Sequence, residues 1–108
     1  MKVIVNTDHI KIIELEDFKK FHIEAIGTLD QITQQFHKNH AGYITHSERA
    51  EVKISFIEQQ AGVKLKDSTW LNGFKMMLSY ANSKGWINQE NQTVFAHIEW
   101  VPTLISET

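Results

Sequence analysis

His-Ile-Glu occurs twice in this chain, at residues 22–24 and again at 97–99. An imidazole and a carboxylate two residues apart on a strand share one face. They can bind one metal ion together, or serve as a general base and the group that orients it. Both segments alternate as strands do. Phe21, Ile23 and Ala25 oppose His22 and Glu24, and Val94, Ala96, Ile98 and Trp100 oppose His97 and Glu99. The four polar groups therefore belong to the sheet face turned away from the core. If the two strands are neighbours, ~4.8 Å apart, the four converge.

Three chemistries are open to that set. His22, Glu24 and His97 have the order of a two-histidine, one-carboxylate triad, with Glu99 beside it, which suits Fe(II) or another first-row divalent metal. The enzymes that usually carry this triad are barrels of more strands than 108 residues can form. Without metal, one Glu–His pair is the acid–base centre of a small enzyme. The plainest reading is a solvated face, with Glu24 and Glu99 paired across strands to Arg49 or Lys53, at ~0.2–1 kcal/mol each.

The same face carries Phe95 and Val101. The irregular segment "IKIIELE" (10–16) adds either Ile10 and Ile12 or Ile13 and Leu15. A face so apolar calls for a cover: a second copy in a homodimer, a protein partner, or a small ligand. The ligand or interface face is thus His22, Glu24, Phe95, His97, Glu99 and Arg49. The expected function is a small cytoplasmic, dimeric binding or accessory protein. The alternative is a small metal-dependent or acid–base enzyme centred on His22, Glu24, His97 and Glu99. A first-row divalent metal is the one cofactor in view.

Other residues point to less. His37 and His40 have a usable ligand spacing on a helix, but no carboxylate accompanies them, and the last helical turn suits His for its dipole alone. Trp70 and Trp100 fall in phase with apolar stripes and read as core, whereas Trp86 follows a helix stop and is unassigned. The five glycines are too widely spaced for a phosphate-cradling loop, and no Gly-x-Ser-x-Gly elbow exists. With no cysteine, disulfides, thiolate metal sites and Cys nucleophiles are excluded. Eleven basic residues against 13 acidic, only Arg49 an arginine, give no phosphate-binding stripe, so nucleic acid is not an expected partner. No apolar run reaches the ~20 residues that span a bilayer, and "MKVIVNTD" lacks a signal-peptide core.

The elements that must position these residues follow from the pattern. Hydrophobic residues at 42% and charged residues at 22% fit one folded domain over 1–108, with 103–108 frayed. Strands are expected at 3–6, 10–16 and about 20–27. "TLDQ" (28–31) is a capping box opening a helix toward Gly42. "ERAEVKIS" (48–55) is a strand, "SFIE" (55–58) a second capping box, and Thr69–Lys84 the longest helix, with Gly73 implying a close approach by another backbone. "QTVFAHIEWV" is the last strand. The order is ββ-β-α-β-α-α-β, an α+β fold whose mostly antiparallel sheet of about five strands has helices packed on one face.

Overall fold

A computed structural model describes residues 1–102, and the fraying expected of 103–108 lies outside the described residues. The strands β1 (Lys2–Val5) and β2 (Ile10–Ile13) form a hairpin in which Val3 faces Ile12 and Val5 faces Ile10. The Asn6 side chain closes its turn, accepting from the Asp8 and His9 amides at 2.8 and 2.9 Å. This register sends Ile10 and Ile12 to the core and leaves Ile13 with Lys2 and Ile4 on the outer face.

After β3 (His22–Ala25), helix α1 (Leu29–Lys38) opens with both halves of the expected capping box between Thr28 and Gln31. Ile32 and Phe36 are its buried stripe, but Leu29 is exposed and His40 lies beyond the helix at φ 53°. His37 and His40 consequently share no helix face.

An unanticipated strand, β4 (Gly42–His46), follows. Gly42 is its first residue rather than merely a helix stop. At its φ of 148° a Cβ would run into the carbonyl of Glu51 on the adjoining strand β5 (Arg49–Lys53). Helix α2 (Ile54–Ala61) starts two residues earlier than expected, with Lys53 rather than Ser55 at the N-cap and no side-chain cap, so the second capping box does not form. The Ile54 amide instead donates to the Gln92 carbonyl at 3.0 Å, a tertiary partner that makes the cap unnecessary. A 3-10 turn (Gly62–Lys66) leads to α3 (Ser68–Ser83), capped by Asp67, and the chain ends in β6 (Ile87–Asn88) and β7 (Thr93–Trp100).

The sheet corrects the expectation of about five, mostly antiparallel strands. It has seven and is mixed, in the order β2-β1-β3-β7-β5-β4, with β6 also paired to β7. β1, β3 and β7 are mutually parallel, whereas β1/β2, β4/β5, β5/β7 and β6/β7 are antiparallel. Alternation assigns a side chain to a face but is blind to strand direction. Direction here follows from the long crossover between β3 and β7, which carries all three helices.

One core cluster joins Val3, Val5, Ile23, Val52 and Ile98 of the sheet to Ile32, Phe36, Phe56, Ile57, Trp70 and Phe74 of the helices. Trp70 stacks on Phe74 at 5.1 Å and donates its indole N–H to the Leu15 carbonyl. The approach to Gly73 is made by a side chain, not a backbone: the Phe18 ring fills the space a Cβ would need.

Candidate functional site

The two His-Ile-Glu strands are neighbours, parallel and in register. Ile23 pairs with Ile98, and Glu24 pairs with Glu99. Parallel register sets two carboxylates side by side on the outer face, a repulsive arrangement unless cations attend it. Two basic side chains do. The Lys2 Nζ lies 3.1 Å from Glu24 Oε2, because Lys2 pairs with His22 across β1 and β3 and so shares their face. The His22 Nε2 lies 3.2 Å from the same oxygen and 3.8 Å from Glu99 Oε1.

His22, Glu24 and Glu99 each offer a ligand atom, all within 4.8 Å of one another. The Lys2 ammonium first, then the His22 ring, holds the Glu24 carboxyl below its usual range, and Glu24 in turn raises Lys2. Chemically this is a half-exposed charge cluster in which a lysine already stands where a cation would bind.

His97 falls outside that group. Its strand partner is Arg49 of β5, on the side away from β3. Glu24 and Glu99 likewise do not pair with Arg49 or Lys53, which sit on the far side of β7 from β3. Arg49 lays its guanidinium over the Phe95 ring at 4.0 Å and makes no ion pair among the described residues.

Together these residues line a cleft of about 510 Å³ with Phe21, His46, Glu48, Trp86 and Ala96. The topology explains the opening. Along one edge of β7, β6 covers Thr93 and Val94 and β3 covers Ile98 to Trp100, leaving Ala96 and His97 between the two strands. The β4–β5 loop walls the cleft and is tied down: Trp100 donates its indole N–H to the Ser47 carbonyl, and the Ile98 amide donates to Glu48. The Glu48 amide donates to His46 Nδ1 at 3.2 Å, which leaves the proton of the neutral ring on Nε2.

Glu51 was not singled out from the sequence, where it reads as one more outward charge of β5. It is 8% exposed. Its Oε1 accepts from the Thr93 hydroxyl at 2.6 Å and from Asn91 and Asn88 at 3.1 and 3.4 Å. Burial pushes its pKa up, yet these donors and the Arg49 charge together outweigh burial and the net shift is downward. The Asn-rich turn "NQEN" (88–91) is the one signal that could have pointed to it.

No protein-family model, curated protein or solved structure matches this chain significantly. Among the described residues no helix is long and apolar enough to cross a membrane.

Proposed function

We propose that this domain is a small binding or accessory protein that takes a small-molecule ligand on the outer face of its sheet. The observation that carries the reading is the cleft beside β7, where Phe21, Trp86 and Phe95 meet the polar groups of Arg49, His46 and His97. A concave site of several hundred Å³ with mixed lining is the usual form of a small-molecule pocket. A flat protein interface would not need the gap between β6 and β3. The cytoplasm, expected from the sequence, is part of this proposal. Amide and indole shifts in a fragment titration test it. They should cluster on Arg49, Phe95, His97 and Trp86, and shifts scattered elsewhere would discard the cleft.

A homodimer through the same face is the competing occupant. A metal-dependent or acid–base reaction at His22, Glu24 and Glu99 is the second reading, favoured by the approach of their ligand atoms. A first-row divalent ion there must displace the Lys2 ammonium, which sets Lys2→Ala as the sensitising variant. Metal at ~100 times Kd should stabilise by roughly 2.7 kcal/mol. That rise in melting temperature should vanish in Glu24→Ala and His22→Ala and survive His97→Ala. A rise that persists in Glu24→Ala, or none even with Lys2→Ala, would remove the metal site.

A further inference from the structure

Resting on the cleft reading, we infer that its ligand is a planar aromatic molecule carrying a single carboxylate. The lining presents hydrogen-bond donors with little to receive them. Arg49 has no carboxylate within ion-pair distance among the described residues. The guanidinium carbon lies 4.0 Å from the Phe95 ring centroid, and with no ion pair to engage them its N–H groups are open to bidentate contact with a carboxylate. His46 directs Nε2–H rather than a lone pair, since Nδ1 is taken by the Glu48 amide. His97 adds a second imidazole at an exposed position.

The apolar part of the ligand is read from the other wall. Trp86 is 46% exposed beside Phe21 and Phe95, so aromatic surface stands open to solvent at the cleft. Tyr80 meets Trp86 edge-on at 5.9 Å. Open aromatic faces favour a flat partner over a branched aliphatic one. Glu48 is the single carboxylate of the lining, and Glu51 lies two residues beyond Arg49 on the same strand face. These two acids limit the tolerated ligand charge to one and disfavour a phosphate dianion.

Three probes of one shape test this: 2-naphthoate, 2-naphthamide and 2-naphthyl phosphate, each followed by the Trp86 indole resonance. Naphthoate should bind at least tenfold more tightly than the amide and more tightly than the phosphate. Arg49→Gln should bring naphthoate to the level of the amide, and Arg49→Lys should fall between, since it keeps the charge but loses the fork. Equal binding of acid and amide to the wild type would overturn the carboxylate while leaving the cleft a binding site. Tighter phosphate binding would overturn the single-charge limit. No response of Trp86 to any probe would overturn both this inference and the cleft reading. The acid–amide comparison needs no variant, so it decides even if Arg49→Gln folds poorly.

Discussion

Glu24 and Glu51 are both outward-facing carboxylates on this sheet, and their neighbours make them different groups. Glu24 leans on basic side chains, the Lys2 ammonium and the His22 ring; Glu51 leans on neutral donors of the β6–β7 segment, Thr93, Asn91 and Asn88. Both carboxyls sit below their ordinary value in the fold. A depressed carboxyl contributes stability that is present above the unfolded value of about 4.3 and is lost as pH falls through the folded value. Urea unfolding should therefore show stability falling on the acid side of that pH, and Glu24→Gln should flatten part of that limb by lowering stability near neutrality while changing little at low pH. Glu51→Ala should cost about 1–3 kcal/mol even at neutral pH, because it strands the buried Thr93 hydroxyl. A neutral-pH cost for Glu51→Ala below ~0.5 kcal/mol, the range of ordinary surface changes, would show the network to be decorative.

Among the elements, helices were the most legible. Thr28 and Asp67 are caps of standard type, and the stripes Ile32–Phe36 and Trp70–Phe74–Ala81 read directly from spacing. What failed was information held by tertiary partners. β4 was hidden because Gly42 serves a close strand contact, and the second capping box was displaced by the Gln92 carbonyl. Gly73 shows how such a partner can be measured. Replacing a mid-helix Gly by Ala ordinarily stabilises by about 1 kcal/mol. Here the Phe18 ring occupies the space, so Gly73→Ala should destabilise instead. In a Phe18→Ala background the same substitution should become stabilising, a reversal of sign visible in a double-mutant cycle of melting temperatures. Additive effects would mean that the ring moves aside freely and that Gly73 has another reason.

For the whole molecule, the sequence made the outer face legible as a face but not its division. Alternation placed His22, Glu24, Phe95, His97, Glu99 and Arg49 together. Only the strand order separates a charge cluster on β1, β3 and the end of β7 from a cleft on β5 and the middle of β7. That division bears on assembly. The apolar groups expected to demand a cover are scattered or already screened: Ile13 and Leu15 are half-buried, and Phe95 lies under Arg49. Val101, 37% exposed just past the end of β7, remains as the apolar side chain for a two-fold contact. If the homodimer forms there, light scattering at micromolar concentration should report twice the mass of the chain. Phe95→Glu is then a poor probe, since it sets a carboxylate directly beneath the Arg49 guanidinium and creates an ion pair. Val101→Glu is the better one. Its backbone amide still donates to the Ala25 carbonyl, so β7 stays anchored while a charge enters the contact. A dimer should shift to monomer with this variant, and fragment binding at the cleft should be unchanged. Wild-type protein that remains monomeric at high concentration would end the dimer proposal and leave the face to its small-molecule ligand.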